Sequence, residues 1–228
     1  MHMLKYSISI IILLFSLALS AQEKENDTTA YKERYGLRVG IDLFQPIYSL
    51  VDEDRKGLEF VADYRVSKRF FAAAEFGYSE AITKEDYFNF YTNGQYIKIG
   101  ADFNAYKNWV GMENVIVVGL RYAYSTFDQT LNEYTINADP YLPNQTNTTA
   151  MAYDSLNAQW IEFVLGIKAE ILHNVFLGFS LRGNQLINSK EPENFKNLFI
   201  PGFNKVFLND NGFGFNYTIS YLIPLYKK

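Results

Sequence analysis

The sequence predicts an all-β protein, an eight-stranded antiparallel up-and-down transmembrane β-barrel preceded by a cleaved signal peptide. Eight segments alternate apolar and polar residues with the period of two that is typical of strands. The first residues have the composition of a secretory leader. After this leader, no stretch approaches the roughly 18 consecutive apolar residues that a membrane-spanning helix needs.

Composition excludes several classes of function. The chain has 228 residues, 17% of them aromatic, and no cysteine. The absence of cysteine excludes a disulfide scaffold, a thiolate metal site and a cysteine nucleophile. The formal net charge is −4, whereas a nucleic-acid-binding domain normally carries a basic face. We therefore expect no nucleic-acid partner.

The leader is predicted over residues 1–21. A single positive charge at Lys5 precedes a short apolar run over 7–17, and small residues follow it. This order is typical of a secretory signal peptide, and cleavage is expected after Ser20 or Ala21. The apolar run is too short to favour the alternative of an uncleaved membrane anchor.

Two further regions follow the leader. Residues 22–33 are polar and are predicted to be an N-terminal lead-in. Residues 34–228 contain all of the alternating segments and are predicted to form the barrel. The segments lie at 35–43, 58–66, 70–78, 97–103, 116–124, 161–169, 175–181 and 213–225.

The connections between these segments differ in length. Two tight turns, at 66–69 and 172–174, and a medium connection at 105–114 fall on one side of the predicted barrel. The longer polar connections, predicted to be loops, fall on the other side, at 49–56, 80–90, 128–157 and 188–211. Short turns on the periplasmic side and longer loops outside are typical of outer-membrane barrels.

Alternation alone leaves two orientations open. A soluble secreted barrel of the lipocalin type would turn the apolar residues inward, and a membrane barrel would turn them toward lipid. The polar faces are rich in glycine, which would weaken strands exposed to water but makes room for long side chains inside a narrow barrel. Aromatic residues lie near the strand ends, as in interfacial girdles. These features and the leader favour the membrane barrel.

With this orientation, six cations and seven anions point into the lumen. Opposite charges there should pair, because an unpaired buried charge is very costly. The sequence thus predicts a plugged, ion-paired lumen. Its residues are Arg38, Asp42, Glu59, Asp63, Arg65, Glu75, Lys98, Asp102, Arg121, Glu162, Lys168, Glu170 and Arg182.

Catalytic candidates are scarce. His173 is the only histidine after the leader, and it lies in a tight turn without a serine beside it. No phosphate-binding loop, dinucleotide fingerprint or histidine cluster is present. We therefore expect a protein that is not an enzyme, with no catalytic residue, no cofactor and no metal site.

Three short runs carry a family resemblance: YGLRVGIDL at 35–43, KGLE at 56–59 and YLIPLY at 221–226. In these runs the chain resembles a family of uncharacterised Bacteroidota outer-membrane barrel proteins of unknown function. Its architecture is similar to that of the small OmpA-like and OmpX-like barrels. The resemblance implies an outer-membrane barrel and supplies no activity or site.

These expectations combine into a small, monomeric barrel in the outer membrane of a Gram-negative bacterium, with a structural or surface-interaction role. Its partners would be outer-membrane lipid and, during biogenesis, the barrel-insertion machinery. The loops at 128–157 and 188–211 are candidates for binding a surface ligand. Two alternatives stay open: a narrow outer-membrane channel or transport barrel, and a lipid-modifying outer-membrane enzyme.

Overall fold

The computed structural model describes residues 32–106, 112–136, 145–193 and 196–227. The chain divides into two units, residues 1–32 and 33–228, and every described strand and helix lies in the second. The predicted signal peptide at 1–21 and nearly all of the lead-in at 22–33 lie outside the described residues. No helix in the described ranges is long and apolar enough to cross a membrane.

The described residues form eleven strands and one short α-helix. The strands are β1 (Arg34–Asp42), β2 (Arg55–Arg65), β3 (Phe70–Glu85), β4 (Phe88–Asn104), β5 (Val115–Ile136), β6 (Gln145–Asn147), β7 (Met151–Leu172), β8 (Val175–Ser189), β9 (Phe199–Ile200), β10 (Asn204–Lys205) and β11 (Asn211–Lys227). The helix α1 spans Phe44–Val51, and a 3₁₀ turn spans Leu208–Asp210.

Eight of the strands form a closed antiparallel ring. Their order is β1, β2, β3, β4, β5, β7, β8 and β11, with β11 pairing back to β1 and β4 pairing to β5. Each ring strand thus neighbours the next ring strand along the chain. The predicted all-β class, the antiparallel arrangement and the count of eight strands are confirmed.

The ring strands are staggered. The pairing of residues on neighbouring strands can be followed once around the ring, starting from Glu170 on β7. It returns to β7 at Trp160 after passing through Phe176, Ser220, Gly40, Val61, Glu75, Lys98 and Ala123. The starting and final residues lie ten positions apart on the same strand. A stagger of this kind requires the strands to tilt relative to the ring axis.

The two ends of the ring differ. We call the end that carries the turns at 66–69 and 173–174 the turn end, and the opposite end, which carries α1 and the β9–β10 hairpin, the cap end. From the turn end to mid-strand, apolar side chains face outward and charged side chains face inward. Along β3, for example, Phe70 and Phe76 are half-exposed, while Glu75 is buried.

Two of the predicted loops are instead continuations of strands. Within 80–90, β3 runs to Glu85 and β4 begins at Phe88, so only two residues join them. Within 128–157, β5 runs to Ile136 and β7 begins at Met151, while residues 137–144 lie outside the described ranges. Polar residues of these stretches such as Lys84 and Asp128 are exposed strand positions rather than loop residues.

The predicted loop at 188–211 folds into the ring at the cap end. Its β9–β10 hairpin buries Phe199, Ile200 and Phe203, each no more than 4% exposed. The Phe203 ring meets the Trp160 ring edge-on, with centroids 5.7 Å apart. The apolar part of this segment is therefore packed inside the ring.

The ring wall has a gap at the cap end, because β1 is shorter than its neighbours. β1 pairs with β2 only as far as Ile41 and with β11 only as far as Asp42. Residues 55–59 of β2 and 211–216 of β11 extend past these points and have no β1 partner. The facing edges of β2 and β11 therefore remain apart.

Helix α1 occupies this gap, although the sequence predicts only a loop at 49–56. A Cβ added at Gly57 would lie 2.7 Å from Gln45 Oε1, so the helix approaches β2 where a side chain is lacking. On the other side, the ring centroids of Phe44 and of Phe215 on β11 lie 4.5 Å apart. Leu50 on the outer side of the helix is 87% exposed.

Candidate functional site

The inward-facing charged side chains are gathered inside the ring, most of them in ion-paired groups. Eleven of the thirteen predicted lumen residues are buried, and Lys168 and Glu170 are partly exposed. They come from all eight ring strands except β11. The alternation of each strand puts its charged residues on the inner face, and the closed ring then brings them within reach of one another.

Glu75 is at the centre of one of these groups. Its two carboxylate oxygens accept hydrogen bonds from Arg182 at 2.5 and 3.1 Å, and Oε1 also accepts one from Arg121 at 3.3 Å. Lys98 Nζ lies 3.8 Å from Glu75 Oε2. One carboxylate thus faces three cations, all of them no more than 5% exposed.

Two more carboxylates complete the surroundings of Lys98. Its Nζ lies 3.1 Å from Glu162 Oε1 and 3.5 Å from Glu59 Oε2. Trp160 Nε1 donates a 2.8 Å hydrogen bond to Glu162, and Tyr96 Oη donates one of 2.8 Å to Glu59. These neutral donors satisfy carboxylate lone pairs that would otherwise be buried without a partner.

A second layer of pairs lies closer to the turn end. Arg121 Nη1 lies 2.6 Å from Asp102 Oδ1, which links this layer to Glu75. Arg38 contacts Asp63 through Nε and Nη2 at 2.8–3.0 Å, in a two-pronged arrangement. Lys168 Nζ lies 2.7 Å from Asp63 and 3.9 Å from Asp102, and so bridges the two aspartates.

Two aromatic residues on the inner face have a place in this layer. Phe176 departs from the alternation of its strand, and Phe71 shares the inner face of β3 with Glu75. The Arg38 guanidinium carbon lies 4.7 Å from the Phe176 ring centroid and 5.7 Å from that of Phe71. Both rings thus hold a cation whose charge is paired elsewhere.

The turn end carries a separate group, the rim cluster, of Arg34, Arg65, Glu113 and Glu170. Arg65 Nη1 donates to Glu113 at 2.9 Å, and Arg34 Nη2 donates to Glu170 at 2.6 Å. The sequence prediction omitted Arg34 and Glu113. Arg34 is in phase with Arg38 and was detectable by alternation, whereas Glu113 lies in a connection without periodicity.

Asp42 differs from the expectation that lumen charges pair. It makes no ion pair with any described residue. Its Oδ1 accepts backbone hydrogen bonds from Phe44 at 3.3 Å and from Tyr217 at 2.9 Å, and its Oδ2 is buried without a partner. Asp42 therefore fastens the start of α1 to β11 instead of neutralising a cation.

At the cap end, the inner face becomes apolar, and Glu80 lies on the outer face of β3. Tyr91 Oη donates a 2.5 Å hydrogen bond to Glu80 Oε2. Burial and this carboxylate raise the pKa of the Tyr91 hydroxyl above its ordinary value. The tyrosine is consequently a fixed donor to Glu80.

The family model of the domain of unknown function DUF6048 matches residues 3–228. The chain belongs to this family. No curated protein matches it.

Tyr96 is held between two glycines of the DUF6048 chain, and this packing is testable. A Cβ added at Gly77 would lie 2.3 Å from the Tyr96 ring, and one at Gly202 would lie 2.5 Å from it. Because Tyr96 is 3% exposed and hydrogen-bonded to Glu59, it has little room to move. We expect Gly77→Ala to destabilise the fold by about 1–3 kcal/mol through overpacking, measured by urea unfolding.

Gly183→Ala is the matched control for this substitution. It also lies within a ring strand, but a Cβ there would meet no atom within 4 Å. Its unfolding midpoint should stay at or slightly above that of the unsubstituted protein, since alanine restricts the unfolded chain more than glycine does. Equal losses for both variants would contradict the close packing of Tyr96.

Proposed function

We propose that this protein is a small β-barrel of the outer membrane of a Gram-negative bacterium, reached after removal of the leader, with a closed, ion-paired lumen and a structural or surface-interaction role. The observation that carries the proposal is the placement of side chains: an apolar outer face surrounds a charged interior. This arrangement is the reverse of a water-soluble barrel.

The outer face supports membrane insertion. A belt of half-exposed apolar side chains surrounds the ring from the turn end to mid-strand. Its members include Leu37, Val39, Phe60, Phe70, Phe76, Ile97, Ile99, Ile116, Leu120, Ile161, Phe163, Leu165, Ile167, Leu177, Leu181, Tyr217, Tyr221 and Ile223, all between 37% and 57% exposed. Soluble monomers rarely expose continuous apolar patches larger than a few hundred Å².

The height of this apolar belt fits a bilayer. On β3 the outward residues are apolar from Phe70 to Tyr78, and the next outward residue is Glu80. On β5 they are apolar from Ile116 to Tyr124. Both stretches cover nine residues, and a tilted membrane strand needs about 9–11. Tyr78 and Tyr124 stand at the cap-end border, where aromatic girdles lie in membrane barrels.

The charged interior supports a closed lumen. The cavity left among Asp63, Glu75, Arg121 and Arg182 has a volume of about 40 Å³. That is room for a few water molecules, since one needs about 10–15 Å³. A structural role therefore agrees better with this interior than conduction does.

Gel migration of membrane fractions tests insertion. We expect the protein in the outer-membrane fraction, migrating faster unheated than boiled. Recovery of the folded mature protein in the soluble fraction without detergent would overturn the proposal.

Planar-bilayer recording tests whether the lumen is closed. We expect no discrete conductance steps for the intact protein, because the central ion pairs fill the ring. Steps that vanish in Arg121→Ala would favour the narrow channel instead.

A His173→Ala strain tests the enzyme alternative: a changed lipid profile would contradict the expectation that the protein is not an enzyme.

A further inference from the structure

A cavity of about 190 Å³ lies behind α1 at the cap end. It lies between α1 and the ring interior, beside the gap between β2 and β11, and residues of the β9–β10 hairpin also line it. Its floor is polar, and includes Glu59, Ser79, Lys98, Arg182, Asn184 and Asn216. Its mouth is aromatic, and includes Phe44, Tyr48, Phe207, Phe213 and Phe215.

The mouth of the cavity reaches the outer face of the ring. Phe213 and Phe215 point outward from β11 and are 58% and 39% exposed. They continue the apolar belt, and both also line the cavity. An apolar chain could therefore extend from the cavity across the outer surface without passing over a polar border.

One cation in the cavity wall has no carboxylate partner. Arg55 is half-buried, and its guanidinium carbon lies 5.8 Å from the Tyr48 ring centroid and 5.6 Å from that of Phe199. It forms no ion pair with any described residue. Of the other lining cations, Lys98 and Arg182 are paired with buried carboxylates, and Lys205 is paired with the exposed Glu85. Arg55 is thus the charge that an anionic ligand would meet.

Two polar atoms in the cavity wall are also unpartnered. Ser79 Oγ and Asn184 Oδ1 are buried without a hydrogen bond, in side chains whose residues are 2% and 5% exposed. Both residues line the cavity. Buried polar atoms are normally hydrogen-bonded, so these two mark positions where a bound polar group would be satisfied.

We propose that this cavity binds a single-chain anionic amphiphile, with a carboxylate or phosphate head near Arg55, Ser79 and Asn184 and an acyl chain in the aromatic mouth. The proposal goes beyond the structural role above and depends on it only for the bilayer as the source of the ligand. A cavity of about 150 Å³ holds a benzene molecule, so this one admits a head and the first part of a chain.

Equilibrium binding of radiolabelled dodecanoate to the protein in phosphatidylcholine nanodiscs tests the proposal, with protein-free nanodiscs subtracted. We expect saturable binding of one dodecanoate per chain. Arg55→Gln should raise the Kd by about ten- to a hundredfold, the loss expected for charge-assisted hydrogen bonds. Lys56→Gln is the matched control, because Lys56 is the next residue, is exposed and lies outside the cavity. Its Kd should be unchanged.

Competing ligands identify the two parts of the amphiphile. Dodecanol, which lacks the charge, should bind more weakly than dodecanoate to the intact protein and equally to Arg55→Gln. Acetate, which lacks the chain, should not compete. Dodecyl phosphate, tested beside dodecanoate, decides which anionic head is preferred.

Gly214→Leu tests the location by filling the cavity without changing charge. A Cβ at Gly214 would make only an ordinary 3.4 Å contact with Asn204, so folding should persist, as judged by heat-modifiable migration. Binding of dodecanoate should be lost.

Dodecanoate uptake equal to that of empty nanodiscs, or unchanged binding by Arg55→Gln, would overturn the proposal. If the protein proves soluble, the membrane role fails, and the same assay in buffer still decides the amphiphile site.

Discussion

Glu75→Gln is expected to lower the free energy of unfolding by about 3–5 kcal/mol, the cost of removing one partner from a buried ion pair. The glutamine keeps the shape but loses the charge that Arg182, Arg121 and Lys98 share. All three cations would then lose a shared counter-charge in a site that water hardly reaches. Urea titration of the refolded protein in micelles, followed by tryptophan fluorescence, measures the loss.

Asp54→Asn is the matched control, since it makes the same chemical change in an exposed pair. Asp54 lies 2.7 Å from Lys84, with side chains 36% and 59% exposed. Its loss should cost no more than about 1 kcal/mol. Adding Arg182→Met to Glu75→Gln should restore part of the stability, because the double change removes a charge from each side. Similar losses at Glu75 and Asp54 would contradict a water-excluded interior.

Leu165→Arg is expected to destabilise the membrane-inserted protein by about 2–4 kcal/mol. Leu165 lies mid-strand on β7, opposite Val118 on one side and Leu181 on the other, and points outward with 46% exposure. In a bilayer, that position faces acyl chains, and an arginine there must be desolvated or must drag water inward. Urea unfolding in lipid vesicles measures the change.

The same substitution distinguishes a ring surrounded by lipid from a ring surrounded by water. At a half-exposed position in water, an arginine costs little, so a soluble protein would tolerate Leu165→Arg. Thr148→Arg serves as the control in vesicles, because Thr148 is exposed and lies outside the strands. It should change stability by less than about 0.5 kcal/mol. Equal effects at Leu165 and Thr148 would argue against lipid around the belt.

Sequence periodicity located the ring strands wherever one face was apolar and outward. It failed at the cap end, where the outer face of the strands becomes polar and the inner face becomes apolar. There, outward Asp128 is polar while inward Phe127 and Leu131 are buried among apolar residues. A prediction based on outward apolar residues ends the strand at this reversal, and it therefore assigns 128–157 to a loop.

The parts of the interior that sequence reasoning missed depend on long-range packing. Phe203 lies in a segment without periodicity, and only the folded ring shows that it fills space beside Trp160. Arg55 lies in a predicted loop and Gly57 just before a predicted strand, yet their roles arise from the helix that fills the gap between β2 and β11. Alternation assigns a face to a residue, but not the neighbour that this face meets.

The seam between β1 and β11 joins the two most distant ring strands along the chain, with Arg34 opposite Lys227 and Asp42 opposite Thr218. Closing so large a chain loop carries an entropic cost, and the pairing cannot form before the final strand has been synthesised. An unfinished polypeptide would expose two unpaired strand edges, which are templates for aggregation. Nascent chains therefore need protection from one another until the seam forms.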